Sequence, residues 1–202
     1  MLKYVFAALA VLTALLAGLA FSLSRQPLPP LLPQASQGAA IHFTQPFTLT
    51  DMHGQTVNET TFLGKPTLYF FGFTHCPDVC PTTLGALAAW LKELGDADAA
   101  KLNVVFVSVD PSRDTPETLR DYVTAFHPQI VGVTGTEEEL KAVAKQFMVY
   151  YAKVPNSSDP KDYTMNHSSM ILMADGNGTF VDTLDAHDPQ AEALSKLKAL
   201  VR

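Results

Sequence analysis

Cys76 and Cys80 are the only thiols in this 202-residue chain, and they stand four residues apart in Phe73-Thr-His-Cys76-Pro-Asp-Val-Cys80-Pro. A separation of four brings two side chains onto one face of a helix, so both sulfurs can point at one atom. Thiolates are soft ligands that suit copper(I) and also zinc. A helix N-terminus favours the thiolate through its dipole and free N–H groups. One close pair is not the disulfide framework of a small secreted fold, and it reads as a local site. Holding copper(II) as well requires a nitrogen ligand, for which imidazole is the natural choice.

Six histidines could supply it: His42, His53, His75, His127, His167 and His187. His53 falls in a predicted turn. His127 ends a helix, where a histidine is favourable without function. His42 and His187 lie near the ends of the folded part. His75 adjoins Cys76, but neighbouring residues diverge at a strand end. His167 ends a long loop and starts a buried strand, a junction that in a thioredoxin-like sheet lies beside the strand–helix turn. Pattern alone leaves His75 and His167 open. Met165, Met170 and Met173 are soft atoms nearby, but strand methionines are usually core.

The elements that must carry these residues are readable. Phe47–Thr50 alternates as a strand, turns at His53-Gly54 and returns over 55–57. Thr67–Phe73 and Asn103–Val109 are continuous apolar runs, as expected of strands buried on both faces. Residues 169–173 and 179–184 form a strand pair across 175–178. A helix follows Pro81 with Leu84, Leu87, Ala88, Leu91 and Leu94 on one face. Thr115-Pro116 opens a second, with proline in its first position. Thr136 and Glu139 form a capping box for a third, predicted to run to about Tyr150. Asp188-Pro189 begins a terminal helix. Lys153–Asn166 is expected to be an unpatterned loop, and loops of that length inside compact domains are usually functional or disordered. Strands alternating with helices and a closing hairpin give an α/β sandwich.

The chain is 47% hydrophobic, enough for one domain with a sizeable core. Among the first 40 residues only Lys3 and Arg25 are charged, so 12 of 14 basic residues and all 20 acidic ones lie beyond, a net charge of −8. That balance argues against nucleic acid and anionic substrates, and favours a cation or a basic partner surface. Tyr4–Leu23 is almost wholly apolar and long enough to cross a bilayer as a helix. A signal peptide cleaved after Ala17-Gly-Leu-Ala20 is the alternative, although its apolar core would usually be shorter. No cysteine follows, which excludes a lipoprotein anchor. The proline-rich stretch 26–40 reads as a semi-rigid spacer. The expected organisation is an N-terminal membrane anchor at 1–25, a linker at 26–40 and a folded domain at 41–202. The charge flanking the apolar run favours the N-terminus inside and the domain outside.

The run Phe71-Gly-Phe-Thr-His-Cys76-Pro-Asp-Val-Cys80-Pro-Thr-Thr83 resembles the signature of the Sco/SenC family. Further blocks of resemblance are Val107–Pro116, Tyr122–Pro128, Gly132–Thr136, Tyr150–Lys153 and Asp162–Ser168, in order across about residues 45–185. The resemblance implies a thioredoxin-like central sheet flanked by helices, with an N-terminal transmembrane helix. It implies one copper ion, delivered to the binuclear copper A centre of cytochrome c oxidase. The family's two cysteines and its distal histidine fall on Cys76, Cys80 and His167. Asp78 also matches a family position and is expected to orient the loop or a partner without touching the metal. The alternative for Asp78 is a helix-capping acid. Asn166 departs from the aspartate often found there.

The expected partners are the copper-bearing oxidase subunit, a periplasmic copper donor and a thiol reductant. The expected location is the bacterial inner membrane, single-pass, with the domain in the periplasm. A thiol–disulfide reductase acting through Cys76 and Cys80 is the main competing function, and one dithiol can serve both. The Cys-x-x-x-Cys spacing argues against a general thioredoxin. A peroxiredoxin-like role, with Thr74 as a weak support, and an inert disulfide are the remaining readings.

Overall fold

The computed structural model describes residues 40–202. The expected anchor at 1–25 and the spacer, all but Ala40, lie outside the described residues. Among the described residues no helix is long and apolar enough to cross a membrane.

Seven strands form one sheet. In chain order they are β1 (Thr48–Asp51), β2 (Thr56–Asn58), β3 (Thr67–Gly72), β4 (Asn103–Ser108), β5 (Ile130–Thr134), β8 (Ile171–Ala174) and β9 (Phe180–Leu184), with spatial order β2-β1-β5-β4-β3-β8-β9. β3, β4 and β5 are parallel, while β1 and β8 add antiparallel to the two sides. The remaining strands, β6 (Tyr151–Pro155) and β7 (Tyr163–His167), form a separate antiparallel hairpin. The helices are α1 (Val79–Leu94), α2 (Asp96–Ala99), α3 (Pro116–Thr124), α4 (Glu137–Gln146) and α5 (Gln190–Leu200).

Every residue of β3 is buried, the outcome expected of a central strand covered on both faces. Strand alternation divides its side chains. Tyr69 and Phe71 face Phe147, whose ring stacks on Phe43 at 4.1 Å. Phe70 and Gly72 face the opposite layer, where Phe70 meets Phe106 of β4 and Gly72 meets Cys80 of α1. The apolar runs of the sequence thus build two cores, one on each side of the sheet.

The caps are where the sequence puts them. Thr115 accepts the Thr118 N–H with Pro116 at the first helical position, and the Thr136–Glu139 capping box is complete. Three expectations differ. α1 begins at Val79, two residues ahead of Pro81, because proline is tolerated in a first turn that needs no N–H. α4 stops at Gln146 rather than near Tyr150. Phe147 turns into the core there, Met148 takes a left-handed φ of 53°, and the Val149 N–H closes on the Ala144 carbonyl. The third difference is Lys153–Asn166, expected to be one unpatterned loop: half of it, 153–155 and 163–166, lies in β6 and β7, and only 156–162 is loop. Its strands hold Lys, Asn and Pro, residues depleted in β structure, and it pairs only with itself.

Gly72 is the point where the sheet touches the helix that carries Cys80. A Cβ there would lie 2.6 Å from Cys80 Sγ and 2.8 Å from the Phe106 ring. β3 is hydrogen-bonded on both sides and cannot withdraw. Gly72→Ala is therefore expected to destabilise the fold by about 1–3 kcal/mol through overpacking. Urea unfolding measures this, and a wild-type midpoint would contradict the close approach.

Candidate metal centre

Three segments meet at the C-terminal end of β3. Cys76 lies in the turn before α1, where its N–H donates to the Phe73 carbonyl at 3.2 Å. Cys80 sits in the first turn of α1 and is fully buried. Its backbone N–H, one of the unpaired donors at the helix start, donates to Cys76 Sγ at 3.4 Å. Both cysteines are free thiols. His167 closes the site from the end of β7, with Nε2 3.5 Å from Cys80 Sγ.

The ligating atoms of Cys76, Cys80 and His167 all lie within 4.8 Å of one another, and this is the one such group among the described residues. His167 Nδ1 lies 2.9 Å from the Ser168 carbonyl, a pairing that puts the proton on Nδ1 and leaves the Nε2 lone pair facing the sulfurs. Phe70 and Phe73 stand edge-on to the imidazole at 6.1 and 5.8 Å. They form the apolar wall that fixes the ring plane.

Burial sets the protonation states. Desolvation pushes the Cys80 thiol far above its usual range, against a smaller lowering by the Phe73 backbone hydrogen bond, and the neighbouring Cys76 and Asp114 add to the rise. The expectation that a helix N-terminus makes a thiolate thus fails at Cys80. Burial raises that thiol by more than the Phe73 backbone hydrogen bond lowers it. Desolvation lowers the His167 pKa, opposed by hydrogen bonds to the Ser168 and Phe71 carbonyls. The free site therefore pairs a Cys80 thiol with an imidazole biased towards its neutral form.

The other candidates are elsewhere. His75 is half exposed, with Nδ1 3.0 Å from Thr74 Oγ1 and 3.7 Å from Asp114. His42 meets Thr179, His187 meets Asp185, His127 accepts from the Gln129 N–H, and His53 lies in its turn. Met165 and Met173 are core residues. Asp78 occupies the N-cap position of α1, is exposed, and makes no side-chain capping bond. Its carboxylate accepts from Thr82 Oγ1 at 3.4 Å.

The sequence reading assigned no role to the turn after β4. Asp114 is fully buried and accepts from the Thr74 N–H at 2.9 Å, from Thr74 Oγ1 at 2.6 Å and from Ser108 Oγ at 2.6 Å. It moors the segment leading to Cys76. Asp110 accepts from Arg113 Nε and from the Tyr163 hydroxyl, the latter at 2.8 Å. The available signal was the two aspartates of Asp110-Pro-Ser-Arg-Asp114 shortly after a buried strand, where α/β folds gather functional groups.

A model of the family described as SCO1/SenC matches residues 35–202. The chain belongs to this family. It is 38% identical over 157 residues to the mitochondrial protein SCO2 of Saccharomyces cerevisiae, covering 78% of this chain and 52% of that protein. It is 36% identical to an SCO2-like protein of Rickettsia felis, over 75% of this chain and 74% of the relative. The chain thus spans about half the length of the yeast relative and most of the bacterial one. Among solved structures it resembles copper-bound ScoI of Bradyrhizobium japonicum, with 43% identity, a TM-score of 0.72, and coverage of 80% of this chain and 99% of that one. Copper-bound Sco1 of yeast matches with 36% identity, a TM-score of 0.73, and coverage of 81% and 89%. The mixed α/β fold, with a central thioredoxin-like sheet flanked by helices, is common to them.

The unequal burial of the two sulfurs has a chemical signature. In the reduced, metal-free protein, a maleimide at neutral pH is expected to modify Cys76 well before Cys80, since only Cys76 is solvent-accessible. In denaturant the two should react alike. Mass spectrometry of early time points reads the order, and equal native rates would contradict the buried position of Cys80.

Proposed function

We propose that this SCO1/SenC protein is a copper metallochaperone that binds one ion through Cys76, Cys80 and His167. The observation that carries the reading is the convergence of these three ligating atoms within 4.8 Å in an apolar recess. Two relatives, 43% and 36% identical, have copper bound in their solved structures. The donor set fits the metal. Two thiolates satisfy copper(I), and the neutral imidazole adds the nitrogen that copper(II) requires. Copper is the cargo, passed on to the binuclear copper A centre of cytochrome c oxidase through its copper-bearing subunit. Asp78, exposed between the cysteines, orients the loop or the partner.

The setting follows from the same reading. Residues 4–23 anchor the chain in the bacterial inner membrane in a single pass, residues 26–40 hold the domain off the surface, and the domain faces the periplasm. A periplasmic donor supplies the ion. That compartment is oxidising, so a thiol reductant must return the cysteine pair to the form that can be loaded.

The arrangement of the sulfurs favours a second activity at the same site. Cys76 is accessible and Cys80 is buried behind it, the order that thiol–disulfide exchange uses for an attacking and a resolving thiol. The domain could in this way reduce the oxidase cysteines that receive the copper. Metal and disulfide exclude one another, because a disulfide sulfur is a poor ligand.

The test separates the ligands by oxidation state. His167→Ala is expected to keep copper(I) on the two thiolates and to lose stable copper(II) binding. Cys76→Ser or Cys80→Ser should weaken both severely. An unchanged copper(II) spectrum in His167→Ala would overturn the ligand set. Copper(I) must also displace the Cys80 proton. Because burial raises that thiol above its ordinary value of 9.0, it remains protonated at neutral pH. Displacing this proton should make the apparent copper(I) affinity rise at least about tenfold per pH unit, and more steeply where Cys76 also gives up a proton. Competition titrations at several pH values measure the slope, and a pH-independent affinity would contradict a buried thiol as ligand.

A further inference from the structure

The metal centre has two halves on different elements, and the turn after β4 touches both. The cysteines sit at the end of β3 and the start of α1. His167 sits on the β6–β7 hairpin, which is outside the main sheet. A two-stranded hairpin is marginal without support. Something must hold it at the distance that brings His167 to the sulfurs.

We propose that the turn Asp110–Asp114 is the gauge that sets this distance, with Arg113 the positioning residue that joins the two halves. The proposal rests on the copper reading above. Asp114 holds the cysteine side by accepting from the Thr74 N–H and hydroxyl. Arg113 holds the histidine side. Its Nη1 donates to the Tyr163 carbonyl at 3.1 Å, and its guanidinium carbon lies 3.8 Å from the centre of the Tyr163 ring. Asp110 completes the grip by accepting from both Arg113 Nε and the Tyr163 hydroxyl. The same guanidinium lies 5.7 Å from the Phe73 ring, and that ring stands 5.8 Å from the His167 imidazole.

Tyr163, Met165 and His167 share one face of β7 by strand alternation. Fixing Tyr163 at one end therefore fixes where His167 can reach at the other. None of the three gauge residues offers an atom to the metal group. Their effect passes through Tyr163, Phe73 and Thr74. The planar fork matters, because a lysine cannot both stack on Tyr163 and donate in two directions.

This arrangement predicts a selective effect. Loosening the hairpin removes the nitrogen and leaves the sulfurs in place. Copper(II) binding should therefore suffer and copper(I) binding should not. Losing an outer support of a metal ligand typically costs about 10–100-fold in affinity.

The experiment uses the full chain in mild detergent, with Arg113→Lys, Tyr163→Phe and, as a control, Lys101→Ala on the far surface. Two readouts are taken. The first is affinity for copper(II), with its sulfur-to-copper absorption band, beside affinity for copper(I). The second is the ring-nitrogen NMR of His167 without metal, which reports whether the imidazole keeps one tautomer against the Ser168 carbonyl. Arg113→Lys is expected to lose copper(II) affinity by about 10–100-fold, to keep copper(I) within about threefold, and to show mixed tautomers. Tyr163→Phe should do the same to a smaller degree, and it decides the matter if Arg113→Lys does not fold. Wild-type copper(II) affinity and a single tautomer in both variants would overturn the gauge. So would equal losses for both oxidation states that track a fall in melting temperature. If the wild-type chain bound no copper, the proposed function would fall, and the metal-free NMR comparison would still decide the gauge.

Discussion

The structure depends on one contact: Cys80 Sγ and His167 Nε2 lie 3.5 Å apart although 87 residues separate them in the chain. Neither local helix geometry nor strand pairing brings them together directly. The cysteine arrives on the first turn of α1, pressed against Gly72 where a side chain would not fit. The histidine arrives on a hairpin that pairs only with itself. The central sheet gives the first arm its rigidity. Packing of the second arm against Phe70, Phe73 and the turn after β4 gives it its reach.

Burial governs the chemistry that follows. A thiol and an imidazole are tolerated in an apolar recess because both can be neutral, whereas an isolated thiolate would cost far more. The free site consequently keeps Cys80 protonated until a cation replaces the proton and balances the charge on sulfur. Binding, deprotonation and redox state become one coupled equilibrium, since each claims the same two sulfurs. An apolar wall also strengthens the metal–ligand bonds by excluding competing water.

Much of this was legible in the residues. The Cys76–Cys80 spacing marks a single site, the apolar runs mark β3 and β4, and Pro116 and the Thr136–Glu139 box mark helix starts that the structure reproduces. What escaped is what depends on distant partners. The β6–β7 hairpin mixes strand formers such as Tyr151, Val154, Tyr163 and Thr164 with Lys153, Pro155 and Asn166, and shows no clean alternation, so its pairing is visible only in three dimensions. His167 could be separated from His75 only through the family resemblance, because nothing local says which ring reaches the sulfurs. Asp114 and Arg113 fall within a block of family resemblance but carry no local signal of their role, since the burial of Asp114 and the stacking of Arg113 on Tyr163 depend on partners far away in the chain. The depth of Cys80, which dominates its protonation, is invisible in sequence spacing.

The central claim is that Cys76, Cys80 and His167 together hold one copper ion. Copper K-edge X-ray absorption on the reduced chain, loaded with one equivalent of copper(II), tests it most directly. The account predicts an inner shell containing two sulfur scatterers and one imidazole nitrogen per copper, saturating at that single equivalent. A shell of oxygen and nitrogen alone, or sulfur scattering that persists unchanged after both cysteines are alkylated, would contradict it.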